Sequence, residues 1–286
     1  MKWRKTDSEH YQRRGSGGGM GMPVAAGGGV IGLLVLLATV LLGGGGGGTT
    51  GGLSGFGEQL ETDLDAPLTE EEEFVQFLAE DTQAVWADIF AEDGQQYSYA
   101  TVNTFSQQVS TGCGGATSAV GPFYCPADSQ VYLDTGFFDE LSSRFGAPGD
   151  FAQAYVVAHE IGHHVQNLLG TSAAVREREQ AAGSQEEANQ WSVRLELQAD
   201  CYAGVWAHSV YVRGEEDPTG DVGLHEGDIE EGLAAAQAVG DDRIQSQAGM
   251  EVSPETWTHG SSAQRQEWFN RGFESGDPDT CDTFSE

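Results

Sequence analysis

The sequence predicts a mostly helical α+β domain with a small sheet, preceded by one transmembrane helix. From residue 69 onward, apolar residues recur with helical period between capping residues, which favours a largely helical domain. One alternating stretch, residues 97–105, favours a strand of a small sheet. A run of 19 uncharged, mostly apolar residues at 24–42 is about long enough for a helix to cross a bilayer.

The charge distribution predicts the orientation of that helix. Five of the 13 basic residues lie in the first fourteen positions, although the whole chain has a formal net charge of −32. By the positive-inside rule, the basic tail at 1–23 stays in the cytoplasm and the rest is exported, as a single-pass cell-membrane protein with an extracytoplasmic domain. A cleaved signal peptide is the alternative, but no A-x-A site follows the apolar run. The acidic body would repel nucleic acid, so no nucleic-acid partner is expected.

The remaining chain divides into a linker and a domain. Residues 43–66 are glycine-rich and then acidic, which predicts a flexible linker, and the domain is expected at 67–286. Thr69 and Glu72 form a capping-box pattern at the first helix of the domain. Further helices are expected at 137–145, 149–170, about 186–212, 228–239 and 261–273.

The stretch AYVVAHEIGHHVQNLLG, residues 154–170, contains the pattern that points to chemistry. On a helix, His159 and His163 lie on one face, so both imidazoles can reach a single zinc ion. Glu160 is rotated by about 100° from His159, where it can reach a water on the metal and take its proton. His164 faces another direction and is not expected to bind the same ion.

A hydrolytic zinc site needs a third protein ligand and leaves its fourth position open. The segment RLELQADCYAGVWAH, residues 194–208, offers Glu196 as that ligand. Asp200 follows one turn later and could accept the N–H of a ligand histidine. The alternative is that these histidines and carboxylates are solvated residues on exposed helix faces. The apolar neighbours of Glu196 disfavour this alternative, because they would bury its carboxylate, and a buried carboxylate needs a partner.

Several stretches of the chain resemble, in order, the bacterial neutral zinc metallopeptidase family. They are MKWRK, the single apolar span, CPADSQVYLDTGFFDELSSRFGAPGDFAQAYVVAHEIGHHVQNLLG, ELQADCYAGVWAH and THGSSAQRQEWF. The resemblance covers nearly the whole chain apart from the glycine tether. It implies a zincin-like fold, with His159, His163 and Glu196 as the metal ligands. It also implies Glu160 as the catalytic carboxylate and Asp200 as a residue that supports a ligand.

Four cysteines in an exported domain predict two disulfides. Of the three possible connectivities, we favour Cys113 with Cys125 and Cys201 with Cys281. The first bond closes a short glycine-containing loop, and the second ties the late chain to the helix of Glu196. A zinc ligand at Cys201 is the alternative, but that residue points away from the ligand face.

The sequence says less about the residues that contact the substrate than about those that bind the metal. Residues 130–134 are a candidate edge strand for an added substrate strand, with an ordinary structural strand as the alternative. An oxyanion donor is also needed. The candidates are Tyr155, Tyr202, His225 and His259. Of these candidates we favour His259, because it lies in a polar loop well after Glu196. The alternative is that this loop only caps a helix, through Ser261 and Gln264.

The sequence therefore predicts a membrane-anchored zinc metallopeptidase acting on a peptide or protein substrate. Peptide bonds would be hydrolysed by a zinc-bound water, with Glu160 as general base. The alternative is a non-catalytic extracytoplasmic binding or scaffold protein in which zinc serves folding. A purely structural zinc site has no use for Glu160. The pattern does not indicate the cleavage preference or the oligomeric state.

Overall fold

The computed structural model describes residues 1–15, 64, 66–217 and 219–285. Its helices are α1 (Glu70–Glu92), α2 (Phe137–Ser143), α3 (Asp150–Leu168), α4 (Thr171–Ala181), α5 (Gln185–Glu216), α6 (Asp228–Ala238), α7 (Asp241–Gln247) and α8 (Ser262–Ser275). Its strands are β1 (Tyr11–Arg13), β2 (Thr101–Phe105), β3 (Gln108–Thr111), β4 (Gly114–Thr117), β5 (Phe123–Cys125) and β6 (Gln130–Asp134). The described residues thus form a mostly helical domain with small sheets.

Side-chain caps begin helices α1 and α8 where the sequence predicts them. The Thr69 hydroxyl accepts the Glu72 N–H, and the Glu72 carboxylate accepts the Thr69 N–H, which completes the predicted capping box. Ser261 and Gln264 form the same arrangement at the start of α8. In the middle of the domain, α3 buries Val157, Ile161 and Val165 completely. This helix therefore runs through the core, where its polar residues need partners.

A four-stranded sheet packs against α3 in the order β1-β2-β6-β5. The first three strands are parallel, and β5 is antiparallel to β6. Because β6 pairs on both sides, the prediction that residues 130–134 form an edge is wrong. Among the described strands, β5 is the edge at that end of the sheet. A separate hairpin consists of β3 and β4.

Helices α5 and α8 cross at two glycines. A Cβ atom on Gly272 would lie 1.9 Å from the Cys201 carbonyl oxygen, and one on Gly204 would lie 2.1 Å from the Phe269 carbonyl oxygen. Either methyl group would overlap the other helix, so the observed contact requires glycine at both positions. The close approach brings side chains of α8 into the region that α3 and α5 share.

Both predicted disulfides are confirmed. The bond between Cys113 and Cys125 joins the β3–β4 hairpin to the edge strand β5. The bond between Cys201 and Cys281 ties the middle of α5 to the final turn of the chain. Cys201 is therefore engaged in a disulfide and is not a metal ligand.

The predicted transmembrane helix is corrected by the structure. Within the described ranges, no helix is both long and apolar enough to cross a membrane, which contradicts the predicted span and the single-pass cell-membrane location. The run at 24–42 itself lies outside those ranges, as does nearly all of the linker at 43–66.

The N-terminal residues supply the physical reason for correcting the topology. Strand β1 pairs with β2 of the domain sheet. The ammonium group of Met1 lies 2.7 Å from the carboxylate of Asp150, at the start of α3. A tail on the opposite side of a bilayer from the domain could not make these contacts.

Candidate metal centre

Two packed helices bring the predicted zinc residues together. His159 and His163 project from α3, with ring centroids 4.7 Å apart. Glu196 projects from α5 between them, with one carboxylate oxygen 3.3 Å from His159 Nε2 and the other 3.4 Å from His163 Nε2. The two helices can approach because Gly162 has no side chain. A Cβ atom there would already lie 3.1 Å from the Ala199 carbonyl oxygen.

The spacing of these three groups fits a zinc ion. Two ligands at 2.0–2.1 Å from one tetrahedral ion are roughly 3.3–3.4 Å apart. The distances from the Glu196 oxygens to the two Nε2 atoms match this value. Ligand atoms of His159, His163 and Glu196 also all lie within 4.8 Å of one another. The donor set can therefore hold zinc and leave a fourth position for water or substrate.

The far nitrogen of each imidazole is held by an oxygen acceptor. His159 Nδ1 lies 2.8 Å from an oxygen of Asp200, and His163 Nδ1 lies 2.9 Å from the side-chain oxygen of Gln166. An Nδ1–H donated in this way leaves the Nε2 lone pair directed at a metal. Gln166 is oriented by donating its own amide to the Leu195 carbonyl at 2.6 Å. Sequence reasoning missed Gln166, although it lies three residues after His163 on the same helix.

Charge balance keeps the carboxylates ionised. Burial raises the pKa of Glu196, but the charge on His163 and hydrogen bonds from both histidines hold it well below its usual range. Burial lowers the pKa of His159, but the charge and hydrogen bond of Asp200 raise it to about 9. Zinc must displace that proton, so its affinity for the site should increase with pH.

Arg265 of α8 completes the site, and sequence reasoning missed it. Its guanidinium donates from Nε to one Asp200 oxygen at 2.8 Å and from a terminal nitrogen to the other at 2.9 Å. The same group donates to the Tyr155 hydroxyl at 3.1 Å, and that hydroxyl in turn bonds Asp200. Burial alone would raise the pKa of Asp200, but the positive charge of Arg265 lowers it. Asp200 therefore faces His159 as a carboxylate.

Glu160 lies beside the metal-binding group without belonging to it. Its side chain is buried and lines a cavity that also borders His159, His163 and Glu196. Burial raises the pKa of Glu160 above its ordinary value, although the two histidines oppose the shift. A carboxyl group in this position can exchange a proton with a molecule in the cavity.

His259 is the predicted oxyanion donor that both lines this cavity and keeps a free ring nitrogen. Its Nδ1 lies 3.2 Å from one oxygen of Asp241. The other Asp241 oxygen accepts three consecutive backbone N–H groups, from Thr258, His259 and Gly260, at 2.9, 2.7 and 3.1 Å. The imidazole is thus fixed through its Nδ1, while Nε2 remains for a ligand in the cavity.

The other candidate donors are placed differently. The Tyr155 hydroxyl is engaged by Asp200 and Arg265. Tyr202 packs edge-on against Trp86 and does not line the cavity, and His225 lies exposed in a loop. His164 bonds Tyr124 and the Ser98 carbonyl, away from the metal centre as predicted.

Comparison with known proteins identifies the family. The model of the family described as "Putative neutral zinc metallopeptidase" matches residues 1–284. The chain belongs to this family. Zinc is the cofactor that membership implies.

Relatives in two bacteria share most of the chain. "Uncharacterized protein YpfJ" of Escherichia coli (strain K12) is 49% identical over 211 residues, which cover 74% of this chain and 70% of that protein. "Uncharacterized protein Rv2575" of Mycobacterium tuberculosis (strain H37Rv) is 53% identical over 207 residues, which cover 71% of this chain and 67% of that protein. No solved structure matches the chain.

Proposed function

We propose that this protein is a zinc-dependent metallopeptidase that hydrolyses peptide bonds in peptide or protein substrates. The observation that carries the proposal is the convergence of His159, His163 and Glu196 at the ligand spacing of zinc. Family membership agrees with that metal. In the proposal these three residues hold the ion, and Asp200 and Gln166 orient the two imidazoles.

When bound, zinc lowers the pKa of a water molecule and polarises a carbonyl oxygen. Glu160 accepts the proton of the attacking water and passes it to the leaving amine. The raised pKa of Glu160 suits both steps, because a very weak base would not take the proton and a very weak acid would not return it. His259 donates a hydrogen bond to the oxygen on which negative charge develops. Asp241 supports this role, because its hydrogen bond raises the pKa of His259 against the lowering effect of burial.

The edge strand β5 supports an extended substrate. Phe123 and Tyr124 of this strand line the cavity over the metal centre. Tyr124 is anchored to α3, because its hydroxyl bonds His164 and Asn167 at 3.0 Å each. An extended peptide could therefore pair with β5 as an added strand and pass directly over Glu160.

A zinc site that served folding alone would not need Glu160. Burying a further carboxylate beside an acidic ligand costs free energy, and its raised pKa reflects that cost. The position is therefore better explained by proton transfer than by stability. This argument favours the peptidase over a zinc-stabilised scaffold.

Substitution of Glu160 tests the mechanism. Glu160→Gln should keep stoichiometric zinc, because Glu160 is not a ligand. It should lower kcat by a factor on the order of 10² to 10⁴, because the proton acceptor is lost. Zinc is measured by mass spectrometry of the metal, and cleavage by product analysis on a mixed peptide pool.

Glu177→Gln is the matched control, since Glu177 is exposed on α4 and does not line the cavity. This variant should cleave like the parent protein. Full activity in Glu160→Gln would refute the assigned role. A parent protein that binds zinc and cleaves no peptide in the pool would instead favour the scaffold.

A further inference from the structure

The cavity over the metal centre is lined by both polar and apolar side chains. Helix α4 contributes Ser172, Arg176 and Glu179 together with the apolar Val175. Four further apolar side chains of the lining are called the apolar wall. They are Phe145, Val156, Val239 and Ile244.

Contacts between neighbouring residues place the apolar wall next to the reacting groups. Val156 lies one helical turn before Glu160 on α3. The carbonyl of Val239 accepts a hydrogen bond at 3.2 Å from Arg265, whose guanidinium also lies 3.4 Å from His159 Nδ1. Val156 and Val239 therefore lie on segments next to Glu160 and His159.

The other two residues of the wall, Phe145 and Ile244, lie on segments that contact each other. Arg243, the neighbour of Ile244 on α7, donates to the Phe145 carbonyl at 2.9 Å. This bond holds the chain after α2 against α7, so both segments contribute to the lining of one cavity.

The electrostatics beside the apolar wall disfavour an acidic occupant. Arg265 contacts His159, and its donors are engaged by Asp200, Tyr155 and the Val239 carbonyl. Glu160 and Glu196 also line the cavity. These two carboxylates would repel an acidic side chain, whereas an apolar side chain would remove apolar surface from water.

The size of the cavity limits the occupant. Its volume is about 290 Å³, which is just below the range of roughly 300–1,000 Å³ for small-molecule sites. A segment of extended peptide with one or two large side chains fits such a space, and a folded domain does not.

We propose that the apolar wall is a specificity pocket for a leucine- or phenylalanine-sized side chain next to the scissile bond. The substrates are then extended or unfolded polypeptides that display such residues. This inference rests on the peptidase function proposed above.

A peptide series on the zinc-loaded full chain tests the pocket. The cleaved bonds are first mapped by mass spectrometry on a pool of unstructured peptides. Quenched fluorescent peptides then differ only at one flanking position, which carries Leu, Phe, Ala or Asp. At one of the two flanking positions, Leu or Phe should exceed Ala in kcat/KM by about 10- to 100-fold, and Asp should be the poorest.

A variant of the wall assigns the preference to the pocket. Ile244→Phe narrows the space, so the ratio of kcat/KM for Phe over Ala peptides should fall by about tenfold or more. Val252→Phe is the control, because Val252 is 44% exposed and does not line the cavity. It should keep the parent ratio. If Ile244→Phe does not fold, the peptide series on the parent protein still tests whether large apolar side chains are preferred.

Two outcomes separate the inference from the function on which it rests. Cleavage at equal rates for Leu, Ala and Asp peptides would overturn the pocket and leave the peptidase standing. Absence of cleavage in every peptide, with zinc bound, would overturn both.

Discussion

At the scale of single residues, the buried pair of Arg265 and Asp200 determines how the metal centre is held. Asp200 is 0% exposed and Arg265 is 3% exposed, so neither charge is stabilised by water. The two hydrogen bonds between them hold the Asp200 carboxylate in the orientation that His159 requires. Such a pair is costly to break, because one charge then remains buried without its partner.

We predict that Arg265→Gln destabilises the protein by about 3–5 kcal/mol. Zinc affinity should also fall, by about 10- to 100-fold, because Asp200 no longer faces His159 in a fixed orientation. Arg265→Lys keeps the positive charge but lacks the planar guanidinium that makes two hydrogen bonds to Asp200. Its stability and zinc affinity should therefore lie between those of Arg265→Gln and the parent protein. Urea unfolding reports the stability, and competition with a chelator reports the affinity.

Arg144→Gln is the control for this prediction. Arg144 is half exposed, and its nearest carboxylate, on Glu140, is 3.5 Å away. Its removal should change stability by about 1 kcal/mol or less and leave zinc affinity unchanged. Unchanged zinc affinity in Arg265→Gln would contradict the positioning role.

The site residues that were predicted from the sequence have partners nearby in the chain, whereas those that were missed have partners far away in it. His159 with His163, and Glu196 with Asp200, are pairs four residues apart, so helical period alone places each pair on one face. Arg265 reaches Asp200 across 65 residues, through a helix crossing that no local pattern encodes. For this reason the grouping of the candidate ligands could be predicted from local sequence, and the charge that supports Asp200 could not.

At the scale of secondary-structure elements, the crossing of α5 and α8 carries Arg265 into the site. Gly272 lies two turns after Arg265 on α8 and touches the backbone of α5 at Cys201. Cys201 directly follows Asp200. The distance between the two helix axes here therefore sets the distance between the two charges.

We predict that Gly272→Ala destabilises the protein by at least about 1–3 kcal/mol, because the new methyl group overlaps the Cys201 carbonyl. The helices must separate, so zinc affinity should fall as well. Gly115→Ala is the control, since a Cβ atom on Gly115 would meet nothing within 4 Å. Thermal unfolding and chelator competition on both variants measure the two effects. A normal zinc affinity in Gly272→Ala would show that the helix crossing does not determine zinc binding.

The same scale shows where element prediction succeeded and failed. Long amphipathic helices with side-chain caps, such as α1 and α8, were predicted near their observed bounds. Helices α4 and α7 were missed, since α4 is mostly polar and α7 has only seven residues. The order of strands was also missed, because β1 joins β2 from about ninety residues away.

At the scale of the whole molecule, the basic N-terminal segment and the acidic body are complementary. After residue 14, the chain has eight arginines, no lysine and 43 acidic residues. Lys5 contacts Glu73, and Arg13 contacts Glu72, both on α1. The positive-inside rule counts basic residues and takes no account of ion pairs that they form with carboxylates elsewhere in the chain. This explains why the predicted topology was wrong.

The pair of Arg13 and Glu72 makes this attachment sensitive to acid. Burial raises the pKa of Glu72, but the hydrogen bonds from Arg13 and Thr69 and the charge of Arg13 together lower it below the ordinary value. A carboxyl group with a lowered folded-state pKa stabilises the protein above its unfolded pKa, which is about 4.3. That stability is lost as the pH falls through the lower folded-state value.

We therefore predict that Glu72→Gln reduces the free energy of unfolding by about 1.5–3 kcal/mol at pH 7, and by progressively less below about pH 4. Glutamine can keep the capping box with Thr69, so the substitution removes the charge and little else. Urea unfolding at several pH values measures the difference. Glu92→Gln is the control, because Glu92 is exposed at the other end of α1. An equal loss at pH 7 and pH 3 would show that packing, rather than the ion pair, holds the N-terminal strand on the domain.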